Sequence, residues 1–261
     1  MAASHPALQS LEQQLEAYAK SKPGDHGIAA LDLRTGELVG VRADEHFPMA
    51  STVKIAVAAN YLAQMENGRR SLDTPIAGKP ASALLEAMMI RSDNYATDLL
   101  LRNLGGPRTI QAWLDQRGVE GIRIDRTISQ LLSDRRDLFD RRDSSTPTAM
   151  VNLLRRIDDG QLLRPSSRQY LLALMARCST GKNRIRGLLP TTTPVEHKTG
   201  TLSGLTADVG FITLADGRRL AVAFFERNGN ERPQTIAAAA RAIYEGFTTW
   251  MTMQAEPVLA Q

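Results

Sequence analysis

The sequence predicts an α+β protein in three layers, α/β/α, with one five-stranded antiparallel sheet drawn from both ends of the chain, helices at both termini, and an inserted all-helical subdomain. Three observations carry this expectation. Two strand-like runs stand near the N-terminus and three more follow Pro190; the long stretch between them is patterned for helices; and a helical segment lies outside the strands at either end. The expected division is residues 1–50 with 190–261 as the sheet subdomain and 51–189 as the helical one, with the active site at their interface.

Taken in order, Pro6 to Ser21 sets Leu8, Leu11, Leu15 and Tyr18 at three- and four-residue spacing, one face of an amphipathic helix ended by Pro23-Gly24. His26 to Leu33 and Glu37 to Val41 are strand-like and joined by Arg34-Thr35-Gly36, a hairpin signal. Phe47 to Asn67 opens on Pro48 and continues as an apolar helix. Helical spacing recurs over Ala81 to Met89, Tyr95 to Leu104, Pro107 to Arg117, Thr146 to Ile157 and Ser166 to Met175. Between these, Asp125 to Ser145 shows little apolar periodicity and is expected as one long loop, a length that in a compact domain usually has a function. Val195 to Thr201, Thr206 to Leu214 and Arg219 to Glu226 then alternate or run apolar, with a turn at Ala215-Asp216-Gly217. A last helix from Pro233 to Met251 has proline at its start and alanines at 237–240 suited to close packing.

Composition narrows the function classes. With 261 residues, 43% hydrophobic and 23% charged, the chain has ample material for a core in one domain or two intimately packed ones. No apolar run reaches the roughly 18 residues of a membrane span, and MAASHPALQS lacks the basic and apolar regions of a signal peptide. A single cysteine, Cys178, and four histidines leave no internal disulfide and no Cys/His metal site, so neither a metal nor any other cofactor is expected. The net charge of +4 comes largely from arginine. Arg135-Arg136, Arg141-Arg142 and Arg155-Arg156 are interleaved with aspartates, a pattern of solvated ion pairs rather than a nucleic-acid patch. The charge favours small anionic substrates.

The chemistry concentrates at Ser51-Thr52-Val53-Lys54. Residues three apart share a helix face, which sets a hydroxyl beside an amine; a desolvated neutral lysine can take the proton that makes serine nucleophilic. The unpaired N–H groups of a first helical turn favour the negative charge that acyl transfer develops. A chain of this length holds about one Ser-x-x-Lys by chance. The second occurrence, Ser179-Thr180-Gly181-Lys182, lies in a polar stretch unsuited to starting a helix and serves as a control. The competing reading makes Ser51 or Thr52 a helix cap and Lys54 a solvated charge.

Two further triplets decide between these readings: Ser92-Asp93-Asn94 between helical stretches, and Lys198-Thr199-Gly200 on the strand after Pro194. In this order the three motifs are the signature of class A β-lactamases and penicillin-binding proteins, and the chain resembles the class A branch over nearly its whole length, including Thr146-Pro147 after the long loop and the closing Ala240-Arg241-Ala242-Ile243-Tyr244. The resemblance implies that Ser51 attacks the lactam carbonyl and is acylated, that Lys54 helps remove its proton, and that Ser92 relays a proton to the leaving nitrogen. It further implies that Lys198 holds the Ser92 hydroxyl and attracts the substrate carboxylate, that Thr199 binds this carboxylate, that Gly200 keeps the strand open, and that Asn94 binds the substrate's side-chain amide. Asp93 is structural in this scheme, and the backbone N–H groups of Ser51 and Thr201 form the oxyanion hole.

The resemblance breaks in the long loop. The family carries a glutamate two residues after an arginine, to activate the deacylating water, and an asparagine a few residues later; here those places hold Ile128 and Leu132. The arginine to aspartate pair that closes the loop maps onto Arg126 and Asp143, in a span about two residues longer than the family's. An asparagine that commonly braces the glutamate is replaced by Asp98, which would repel a carboxylate. Asp134, Asp137 and Asp140 are the remaining loop carboxylates that could act as base. The expected function is therefore a serine hydrolase that opens β-lactams through an acyl-Ser51 intermediate with slow deacylation. The alternatives are a D-alanyl-D-alanine peptidase acting on peptidoglycan stem peptides and, less favoured, a β-lactam sensor. Expected partners are small molecules only, with no nucleic acid and no membrane span, in a monomer that the resemblance assigns to the periplasm or cell exterior. Arg218, Arg219 and Arg227 are the candidates for an arginine assisting Lys198.

Overall fold

The computed structural model describes residues 5–255 apart from Arg136, so that one member of the Arg135-Arg136 pair, like residues 1–4 of the N-terminal segment, lies outside the described residues. The elements follow as α1 (Pro6–Lys20), β1 (Asp25–Asp32), β2 (Leu38–Val41), β3 (Phe47–Pro48), a 3-10 turn (Ala50–Val53), α2 (Lys54–Glu66), β4 (Pro75–Ile76), β5 (Lys79–Pro80), α3 (Ala81–Ile90) and α4 (Asn94–Asn103). Then come α5 (Pro107–Gln116), α6 (Ile128–Ser133), β6 (Ser144–Ser145), α7 (Pro147–Asp158), α8 (Pro165–Ala176), a second 3-10 turn (Ile185–Gly187), β7 (Val195–Leu202), β8 (Leu205–Thr213), β9 (Arg219–Arg227) and α9 (Arg232–Ala255).

The large sheet is antiparallel throughout in the order β2-β1-β9-β8-β7, so β1 and β9 join the two ends of the chain. Both strands are covered on both faces and read as apolar runs rather than alternations. On one face Ile28, Ala30, Val222 and Phe224 pack against Leu8, Leu11 and Leu15 of α1 and Ile236, Ile243 and Phe247 of α9. On the other, Ala29, Val209, Ala223 and Phe225 share a core with α2 and the helical region. Burial of this apolar surface is the main stabilising term, at roughly 25 cal/mol per Å² removed from water.

Local chemistry places the helix starts. Proline occupies the first turn of α1, α5, α7 and α8, where its missing N–H costs nothing. Asp93 caps α4 by accepting from Ala96 N at 2.7 Å, and Thr146 caps α7 by accepting from Ala149 N at 3.0 Å.

Two expectations change. The stretch from Asp125 to Ser145 is not wholly loop: α6 forms within it, started by a reciprocal capping box between Thr127 and Gln130. Its far end is tied to the chain entering Ser51, because β3 pairs with β6 and Met49 N donates to Asp143 O at 2.9 Å. The α-helix after Pro48 begins at Lys54, and Ser51 lies in the preceding 3-10 turn.

Candidate active site

In a 3-10 turn residues three apart eclipse one another, so Ser51 and Lys54 still share a face. The turn is entered through Ala50 at φ +47°, a strained value for a residue with a side chain. The helix-cap alternative does not survive: no side chain caps the start of α2, and Lys54 is fully buried. Its ammonium group donates to Ser92 O at 2.8 Å, Asn94 Oδ1 at 2.7 Å and Ser92 Oγ at 3.2 Å. Burial first, and the charge of Lys198 second, push its pKa down to about 7, against the pull of Asp93 and Asp98.

Ser92 is held at φ +59°, a second strained residue at the site. Its Oγ accepts from both lysines, with Lys198 Nζ at 2.9 Å. Both lone pairs are thereby engaged, so its own O–H is the group free to donate elsewhere. Lys198 is buried and also donates to Thr199 O at 2.9 Å; burial lowers its pKa to about 8.

The strand β7 is the outer edge of the sheet, so one row of its backbone groups has no strand partner, and the turn carrying Ser51 packs against this strand. Gly200 permits that approach: a Cβ there would stand 2.7 Å from Met49 O and 3.1 Å from Ala50 Cβ. Thr199 and Thr201 project to the opposite face of the strand from Lys198, and Thr199 shares a 2.5 Å hydroxyl contact with Thr180. Thus Lys54, Ser92, Asn94 and Lys198 meet in one hydrogen-bonded cluster, and the turn that carries Ser51 packs against the strand of Thr199, Gly200 and Thr201.

None of the three expected arginines joins them. Arg218 is paired with Asp32 and Asp216, Arg219 with Asp158 and Glu196, and Arg227 with Asp25 and Glu45. The arginine at the site is Arg184, which donates to Gly200 O at 3.0 Å, Ala207 O at 2.8 Å and Thr201 Oγ1 at 2.7 Å. It comes from an aperiodic polar segment with no local signal of its role. The control motif belongs to the same segment. Ser179 starts no helix and donates to Ile90 O at 2.8 Å, yet Thr180 within it abuts the Lys-Thr-Gly strand.

The loop carboxylates are all engaged. Asp134 and Asp140 each pair with both Arg126 and Arg142. Asp143 pairs with Arg126 and accepts from Asp125 N and Arg126 N, and Asp137 accepts from Phe139 N. Asp98 sits at the start of α6, where its oxygens accept from Ile128 N at 2.7 Å and Ser129 N at 2.9 Å. Ile128 itself is buried.

A serine on a strained turn, two buried lysines joined through a second serine, and an open strand edge together define a serine hydrolase of the penicillin-recognising fold. A model of the β-lactamase enzyme family matches residues 10–247. Beta-lactamase CTX-M-97 of Escherichia coli is 32% identical over 267 residues, covering 93% of this chain and 91% of the relative. The carbapenem-hydrolyzing beta-lactamase KPC of Klebsiella oxytoca is 32% identical over 249 residues, covering 86% and 84%. The solved structure of the ancestral class A β-lactamase GNCA superposes with a TM-score of 0.86 at 33% identity, covering 91% of this chain and 100% of that one. The chain belongs to the class A β-lactamase family.

Proposed function

We propose that the protein opens β-lactams through an acyl-Ser51 intermediate that it releases slowly. The observation that carries the acylation half is the Lys54–Ser92–Lys198 array, with one ammonium near neutrality beside the nucleophile. Neutral Lys54 takes the Ser51 proton as Oγ attacks the lactam carbonyl, and the oxyanion forms between the Ser51 and Thr201 N–H groups. Ser92 donates its free proton to the lactam nitrogen and is resupplied by Lys54 at 3.2 Å. The substrate carboxylate lies against Lys198, Thr199, Thr201 and Arg184, and the Asn94 side-chain N–H, left free because its oxygen takes Lys54, receives the substrate amide.

Slow release is supported by the loop. A buried isoleucine occupies the place of the water-activating glutamate, and each loop carboxylate is already committed to arginines or backbone N–H groups. Loss of a positioned general base typically costs about 10² to 10⁴ in rate. The same observation favours a second reading, a D-alanyl-D-alanine peptidase that takes stem peptides as substrate and is trapped by β-lactams. Either reading carries with it a location outside the cytoplasm.

A chromogenic β-lactam tests the proposal: a stoichiometric burst followed by slow turnover is expected, and fast sustained turnover would overturn slow release. Liberation of D-alanine from a stem-peptide mimic at a rate well above the lactam turnover would favour the peptidase.

A further inference from the structure

Beneath the strand edge lies a polar cluster that the acylation scheme does not use. His197 and Asp208 are fully buried on the face of β7 and β8 that carries Thr199 and Thr201. His197 Nδ1 lies 2.8 and 3.0 Å from the two oxygens of Asp208. Its Nε2 accepts from Arg186 Nε at 3.3 Å. Arginine can only donate, so the imidazole that satisfies both neighbours is neutral, carries its proton on Nδ1, and leaves the negative charge on Asp208. Asp208 also accepts from Ile185 N at 3.3 Å, and Arg186 donates to Ala176 O at 3.1 Å and to Val195 O. Gly210, opposite His197 in the register, lets β7 and β8 come this close, since a Cβ there would stand 2.6 Å from His197 Cα.

The consequence lies in the residues between these anchors. Ile185 is bound by Asp208 and Arg186 by His197, and Arg184, immediately before them, reaches Gly200, Ala207 and Thr201. We propose that His197 and Asp208 are positioning residues for the substrate-carboxylate subsite, fixing Arg184 against Thr201 and supplying the buried negative charge that balances Arg184 and Lys198. This rests on the β-lactam reading above. The charged and titratable groups facing Lys198 are Lys54 from α2, Cys178 and Arg184 from the segment before β7, and Asp208 from β8. Burial and, less strongly, Arg184 disfavour the charged Lys198 ammonium, while Cys178 and then Asp208 favour it. Removing the Asp208 charge therefore makes Lys198 lose its proton more readily.

The test compares Ser51 acylation by a penicillin with acylation by its methyl ester, which lacks the carboxylate charge. For Asp208→Asn, the free acid is expected to lose about tenfold or more in second-order rate and the ester less than about threefold. The alkaline limb of the free-acid profile moves to lower pH. His197→Asn keeps a donor towards Asp208 but loses the acceptor for Arg186, and shows the same selectivity with a smaller loss. Equal losses on both substrates, an unmoved alkaline limb, or unchanged free-acid rates would overturn the proposal, as would failure of both variants to fold, which would make the pair a structural support only. If the wild type is not acylated at all, the β-lactam reading fails instead.

Discussion

At the residue scale, the site has two lysines whose deprotonation acts on acylation in opposite senses. Acylation needs Lys54 neutral and Lys198 charged, so the rate is expected to rise with pH through about 7 as Lys54 deprotonates and to fall through about 8 as Lys198 does. Because both share Ser92 Oγ, the limbs belong to the coupled pair. Burst rates measured across pH check this, and a flat profile from pH 6 to 9 would contradict it. Restoring the missing carboxylate as Ile128→Glu is expected to leave deacylation within about tenfold of wild type, because Leu132 does not assist a water and Asp98 is committed to the backbone of residues 128 and 129. Turnover at the level of an efficient lactamase would contradict that coupling. Ser51, Lys54, Ser92 and Lys198 were legible in the sequence because each motif is local. Arg184 was not, because its partners lie 16 to 23 residues away across a strand edge.

At the element scale, the loop tied to the chain entering Ser51 is built on carboxylates used as anchors. Asp98 supplies a negative charge to two N–H groups at the start of α6, a favourable interaction with a helix N-terminus. Asp98→Ala leaves those donors without their partner and is expected to cost about 1 to 3 kcal/mol, with amide exchange rising first in residues 127–133; uniform loss of protection across the whole chain would contradict a local anchor. From the sequence, Asp98 was expected to act by repulsion. Its oxygens face the loop backbone instead, a long-range contact that no spacing reveals. The helix α6 was announced by Thr127-x-x-Gln130 and missed because a single turn and a half carries too little apolar periodicity to register.

At the scale of the molecule, the sheet closes only when β1 meets β9, and the seam contains a buried pair, His26 and Glu226, in direct register. Burial pushes the Glu226 pKa up to about 7, and the Glu226 hydrogen bond raises that of His26. Both groups bind protons more tightly folded than unfolded, so the contribution of Glu226 is lost as pH rises from about 5 towards 7, and that of His26 only as pH rises above about 6.5. The site lysines, whose values are lowered, add the opposite slope above that range. Glu226→Gln is expected to flatten the fall in denaturation midpoint between about pH 5 and 7; an unaltered slope would contradict this assignment. The order of strands and helices, and the meeting of both chain ends in one sheet, followed from apolar patterning. This pairing within the seam did not, because a histidine and a glutamate in strand-like runs carry no mark of being partners.

The central claim is that Ser51 takes up the acyl group and the loop does not release it quickly. Intact mass followed over time after mixing with a penicillin tests it most directly. One added penicillin per chain, persisting long after free substrate is exhausted and absent in Ser51→Ala, is the result expected. An adduct that survives Ser51→Ala, or a wild-type adduct that never accumulates while penicillin is consumed, would contradict the account.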